Sequence, residues 1–214
     1  MRLLACLLIT LILSAGCRYL PQKRSFTSPD KMFQVSLFLD PAIGVFPGDD
    51  IIAVEIRRRS EVIVGKTYLH KVHPSERGFF NDFSDQQWVA GNVFRISNGN
   101  QSLPGRADEI LISNKSDKGL RCVEIHVGDE EWWYILDLAP FSSAHVNAKP
   151  QSLYNGKQRY LSVLAWVEDK MIEGKLNIDQ ITLKNRQAKY YVNITSKVIE
   201  IASSAREDTS KGSR

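Results

Sequence analysis

The side chains whose types and spacing could do chemistry are few: Cys17, Cys122, the pair His70 and His73, and the pair Glu124 and His126. Cys17 directly follows the small residues Ser14-Ala15-Gly16, so a peptidase could cut beside it and leave its thiol for acylation. Cys122 sits in an alternating run without a cysteine-protease signature, which makes it a half-buried strand residue and not a nucleophile. His70-Lys71-Val72-His73 has the H-x-x-H spacing, but residues i and i+3 of a strand point to opposite faces, so no metal site is expected. Glu124 and His126, two apart, share one strand face and are expected to form a surface charge-assisted pair. Trp132, Trp133 and Trp166 could stack on sugars, yet aromatic residues inside apolar strands belong to cores. There is no G-x-S-x-G, no phosphate-cradling glycine loop and no acid–base motif, so the chain does not read as an enzyme and calls for no cofactor. A carboxylate pair assembled by the fold would not be visible at this level.

The first residues decide the address. Arg2 supplies a positive start, Leu3 to Leu13 is an apolar run of about 11 residues, and that is too short to span a bilayer, which takes about 18 or more. Residues 1–16 therefore read as a secretory signal. Leu13-Ser14-Ala15-Gly16-Cys17 resembles the lipobox of bacterial lipoproteins, a resemblance that implies cleavage before Cys17 and acylation of its thiol and new amino terminus. Several acyl chains at about 0.8 kcal/mol per buried CH₂ hold a protein on a membrane durably. By the same resemblance Arg18, in the place where Asp would favour inner-membrane retention, points to the periplasmic face of the outer membrane.

Loss of the signal removes Arg2 from 28 basic side chains and leaves 27 against 24 acidic, a net +3 that is no signature of nucleic-acid binding. Cys122 then stands alone, so no disulfide is possible within the mature monomer. Residues 17–30 are polar, carry two prolines and show no period; they are expected to be a flexible tether reaching about 40 Å. From Met32 onward the period is two. Strands are expected over Phe33–Leu39, Ile52–Ile56, Val62–Val72, Trp88–Ile96, Ile110–Ile112, Arg121–Val127, Trp132–Leu138, Ser143–Val146, Tyr160–Val167, Lys175–Leu183 and Lys189–Thr195. Arg57-Arg58-Arg59 is expected at a solvated hairpin end, and His73–Gln87 shows no period that assigns it. Short strands without a long amphipathic helix predict an all-β chain, an antiparallel β-sandwich of transthyretin-like or immunoglobulin-like type over residues 31–201. Residues 202–214 have no large apolar side chain and are expected to form a disordered tail.

Leu138-Ala139-Pro140, the run Arg159-Tyr160-Leu161-Ser162-Val163-Leu164-Ala165, and Lys189–Thr195 together resemble the TssJ/SciN family, outer-membrane lipoproteins of type VI secretion systems. Against that pattern, 62–127 reads as an insertion. The resemblance implies a transthyretin-like sandwich that docks a periplasmic protein partner through loops. The loop Asp40–Asp50 carries Ile43, Val45 and Phe46 among prolines and glycines, an arrangement suited to partner binding because a stiffened loop docks with little ordering cost. The expected function is thus a lipid-anchored docking subunit; a periplasmic ligand-binding lipoprotein and a cell-envelope hydrolase are the alternatives. Cells fed labelled palmitate are expected to label this protein, and Cys17→Ser to abolish both the label and its membrane attachment; unchanged labelling of the variant would refute the assignment.

Overall fold

The computed structural model describes residues 22–41, 50–72, 86–97, 108–128, 131–148, 159–178 and 188–205. All the elements among them are strands, and the chain divides into two compact units. The first comprises the chain up to Thr27 with Lys31–Phe80, the second Ser28–Asp30 with Asn81–Arg214. Where one domain was expected over 31–201, the chain divides between these two units.

The first unit is a four-stranded antiparallel meander of β1 (Gln22–Thr27), β2 (Phe33–Pro41), β3 (Asp50–Arg58) and β4 (Glu61–Val72), in that order. Alternation makes it: Val35 and Leu37 pair across the ladder with Ile56 and Val54, so one face of β2 and β3 is continuous hydrocarbon, and all four side chains are buried. On the opposite face the Ser25 and Ser36 hydroxyls lie 3.0 Å apart and the Lys23 ammonium sits 5.1 Å from the centre of the Phe38 ring. The β3–β4 ladder shifts register between Ile52 and Ala53, Val54 and Ile56, and Ile56 and Arg57. At the β3–β4 turn Arg58 and Arg59 are exposed, as expected of a solvated hairpin end, and Arg57 bonds Glu55 at 2.7 Å. Strand β1 corrects the tether. Gln22 to Thr27 lacks an apolar stripe, yet pairs residue for residue with β2, because an edge strand needs backbone partners on one side only and tolerates charges such as Lys23 and Arg24.

The second unit holds two sheets. Ahead of the eight strands of the sandwich proper come β5 (Gln87–Ala90) and β6 (Val93–Ser97), joined through Gly91-Asn92 where one extended strand was expected. Then follow β7 (Asp108–Asn114), β8 (Leu120–Val127), β9 (Glu131–Leu138), β10 (Ser143–Ala148), β11 (Arg159–Val167), β12 (Lys170–Ile178), β13 (Ala188–Ile194) and β14 (Ile199–Ala205). The larger sheet runs β12-β11-β8-β9-β6-β5 and the smaller β10-β7-β13-β14. Every pair is antiparallel except β7 with β13. With its first strand parallel to its seventh, the run β7 to β14 has the transthyretin-like order. Val123, Ile125 and Val127 of β8 and Leu161, Val163 and Ala165 of β11 meet Ile110 and Ile112 of β7 and Val192 and Ile194 of β13 in one core. Each such fully buried aliphatic side chain contributes roughly 1.5–3 kcal/mol.

Three sequence expectations change here. The stretch 62–127 is no insertion, since it supplies β7 and β8, both interior strands of their sheets. The strand expected over Lys175–Leu183 begins instead at Lys170: Val167 pairs with Lys170, and Glu168, at φ 55°, makes the tight turn. The tail expected from Ala202 carries strand as far as Ala205, because Ala202, Ser203 and Ser204 pair with Tyr191, Tyr190 and Lys189 through the backbone and need no apolar side chains to do so.

One end of the sandwich is tied by Asn114, which is buried. Its Nδ2 donates to the carbonyls of Lys118 (2.8 Å) and Ala139 (2.9 Å), while Oδ1 accepts from Ser116 N (3.0 Å) and Ser116 Oγ (2.8 Å). Backbone N–H groups of Asn114 and Lys115 bond Ser142 O and Ile194 O, so three neighbouring turns are fixed together. Along one side β12 approaches β14 closely at Gly174, where an added Cβ would lie 2.8 Å from Ile199 Cβ and 3.2 Å from its carbonyl. Gly174→Ala is expected to lower stability by about 1–3 kcal/mol through overpacking. Gly65→Ala, with nothing within 4 Å of the added carbon, should leave it within about 0.5 kcal/mol of the parent in urea unfolding; equal effects would refute the close approach.

Candidate functional site

The alternation that points Val123, Ile125 and Val127 into the sandwich core points Cys122, Glu124 and His126 to the other face of β8. Register sets their neighbours: Cys122 faces Leu136, Glu124 faces Tyr134 and His126 faces Trp132 on β9, while Trp166, Leu164 and Ser162 of β11 flank them on the other side. This face is not the solvated one expected. Cys122, Glu124, Tyr134 and Leu136 are all 0% exposed and Trp132 is buried, so the surface charge pair is corrected to a buried carboxylate. The period-two pattern could not reveal it, because a face carrying Cys, Glu and His looks polar whatever covers it.

Glu124 Oε1 collects the polar contacts. His126 Nε2 lies 2.5 Å away, where an imidazole N–H donates to a carboxylate, and the Tyr134 hydroxyl donates to the same oxygen at 3.2 Å. Oε2 has no partner among the described residues. The His126 ring meets Trp132 edge-on at 6.5 Å between centroids and keeps about a fifth of its side chain in contact with solvent. Breaking such a buried network by removing one partner costs several kcal/mol, since a desolvated group is left behind.

The chemistry open to this cluster is limited by distance and by protonation. Cys122 and His126 are four residues apart on one strand, about 13 Å along it, so the imidazole cannot take the thiol proton directly. Burial pushes the Cys122 thiol well above its ordinary range, and the carboxylates of Glu124 and Asp137 add to this. Burial likewise raises the Tyr134 phenol, assisted by Glu124. A protonated thiol is a poor nucleophile. The half-buried strand cysteine of the sequence reading is thus a fully buried one.

A second buried ion pair lies on the core-facing side of the larger sheet, where Arg95 Nε donates to Glu131 Oε1 at 2.7 Å and the Arg95 guanidinium stands 5.5 Å from the centre of the Trp133 ring. Sequence reading missed it. Arg95 falls inside the alternating run Val93–Ser97 at a position that faces Trp133 of β9, a placement that depends on the β6–β9 register. Trp132 and Trp133 are buried as expected; Trp166 is partly exposed. His70 lies on β4, while Cys17, Ile43, Val45, Phe46 and His73 lie outside the described residues. Among the described residues no three His, Cys, Asp or Glu side chains come together to hold a metal, and no helix is long and apolar enough to cross a membrane.

No family model matches the chain, and no curated protein does. Two solved structures are similar at low level. A protein from Eubacterium rectale determined by NMR is 9% identical with a TM-score of 0.34, covering 51% of this chain and 99% of its own. A candidate cell adhesion protein from Bacteroides uniformis, in a crystal structure, is 9% identical with a TM-score of 0.30, covering 81% of this chain and 77% of its own. Likenesses this distant carry no functional argument.

The raised thiol and phenol predict alkaline sensitivity. Both keep their protons in the folded chain where the unfolded chain loses them, at about pH 8.5 for a thiol and about pH 10 for a phenol. Their stabilisation is complete below those values and lost as the pH rises through them, at up to about 1.4 kcal/mol per pH unit for each group. Urea unfolding is expected to show stability falling from about pH 8.5 upward, with Cys122→Ala flattening the first part of the fall; an unchanged slope in the variant would contradict the assignment.

Proposed function

We propose that this chain is a lipid-anchored docking subunit on the periplasmic face of the outer membrane, part of an envelope-spanning complex. The anchor is Cys17, and the address comes from the signal that precedes it. The observation that carries the docking part is the pairing at the end of the β2–β3 hairpin. The ladder runs to Pro41 opposite Asp50, and Val35, Leu37, Ile52, Val54 and Ile56 already supply the apolar face of the sheet. In sequence, Ile43, Val45 and Phe46 stand between the two strands that carry this face, and apolar side chains of this kind are what a partner can bury.

Two features support the type of complex. The strand order of β7 to β14 is the one a TssJ/SciN-like lipoprotein requires, and Leu138-Ala139-Pro140, Arg159–Ala165 and Lys189–Thr195 fall at the end of β9, on β11 and on β13 with its following turn. The buried, protonated Cys122 lends nothing to a hydrolase reading.

Phe46→Asp is the test. The variant is expected to stay acylated, membrane-attached and as resistant to urea as the parent, yet to lose the envelope protein that crosslinks to the parent in living cells. If it crosslinks normally, or unfolds, Phe46 belongs to no docking loop.

A further inference from the structure

We propose that the first sheet stands end-on against the phospholipid bilayer that holds Cys17, with the β1 start, the β2 end and the β3 start at the headgroups and the arginine turn pointing away. This rests on the acylation of Cys17 in the reading above and adds an orientation that the reading lacks.

Chain length sets the distance. Strand β1 begins at Gln22, five residues after Cys17, so Gln22 can lie no more than about 18 Å from the Cys17 α-carbon, and a flexible chain of that length averages about 12 Å. The headgroup layer of one leaflet takes up roughly 5–8 Å of this. What is left is close to the Debye length of about 8 Å at physiological salt. A tether of some 40 Å is thereby replaced by a link too short to hold the sheet clear of the surface, because most of the residues first read as linker are consumed in β1.

Register sets which end comes down. Gln22 pairs with Leu39, Pro41 with Asp50 and Asp50 with Val72, so the start of β1, the end of β2, the start of β3 and the end of β4 lie together at one end. Thr27 pairs with Gln34, Phe33 with Arg58 and Arg58 with Glu61, which puts the turn at Arg59-Ser60 at the other. From Leu39 back to Phe33 the strand spans about 20 Å. At the near end Lys23 is exposed, its ammonium over the Phe38 ring, within reach of anionic headgroups that attract it. Arg58 and Arg59, exposed at the far end, stand beyond the range of that attraction and face the aqueous compartment. The occupant of the near end is the bilayer itself, since the acylated residue is five positions from the strand and no other surface is tied so closely to it. The hairpin end proposed for docking then meets its partner at the membrane surface.

The test uses full-length protein, acylated in cells, purified and reconstituted into phosphatidylethanolamine–phosphatidylglycerol vesicles that carry a headgroup nitroxide. A fluorophore is attached to Lys23→Cys, with Gln22→Cys as a second near-end reporter, and in separate preparations to Ser60→Cys. Buried Cys122 does not compete for label. Quenching several-fold stronger at either near-end position than at position 60 is the expected result. Equal quenching at both ends of an acylated protein overturns the orientation and leaves the anchor standing. Protein whose Cys17 carries no acyl chains by mass spectrometry overturns the anchoring reading and this one with it. An arginine end that lies on anionic lipid instead would appear as stronger quenching at position 60, and would also overturn it.

Discussion

Glu124 places a carboxylate where water does not reach, and much of the larger sheet follows from satisfying it. Its Oε1 meets the Tyr134 hydroxyl across the β8–β9 ladder and the His126 ring two residues along its own strand. A slip of one residue in the β8–β9 pairing would turn every side chain to the wrong face and carry both the carboxylate into the hydrocarbon core and Val123 or Ile125 out of it. Hydrocarbon on one face and a paired charge on the other thus specify the same register twice. The Arg95–Glu131 pair acts likewise for β6 against β9, since Arg95 faces Trp133 and Glu131 faces Ser97. Such pairs add little net stability over a well-packed apolar substitute, but a misregistered strand would leave two charges buried and unpaired.

The chemistry of these groups is consistent with a structural role. A buried thiol and a buried phenol, both held protonated, lie beside the Glu124 carboxylate, whose Oε1 accepts from Tyr134 and His126. Rigidity is what they supply, and Asn114 supplies it again at the turn end by tying the carbonyls of Lys118 and Ala139. For the docking role proposed above these features matter because a loop is only as well positioned as the strands that carry it. On the anchoring proposed above, the five positions from Cys17 to β1 extend the same logic to the membrane, since a short link restricts an orientation that a long tether would leave free.

How much of this could be read from the residues varies by element. The alternation of Phe33, Val35 and Leu37, of Val123, Ile125 and Val127, and of Leu161, Val163 and Ala165 announced strands with one apolar face, and each is a strand with that face buried. The arginine hairpin was legible because a turn is a local affair of a few dihedral angles. Elements without a hydrophobic period were missed: β1, with its charges, and the end of β14, with its serines, hold their places by backbone pairing alone.

By itself, then, the chain's order of residues determined the all-β class, most strand positions and the face that the alternating strands give to the sandwich core. Tertiary structure alone decided that the chain forms two units, that β7 runs parallel to β13 across more than seventy residues, and that the face bearing Cys122, Glu124 and His126 is buried. The physical reason is one of range. A side chain's period with its neighbours reports which way it points, whereas whether water reaches it there depends on segments far away in the sequence, brought alongside only when the whole chain has paired and packed.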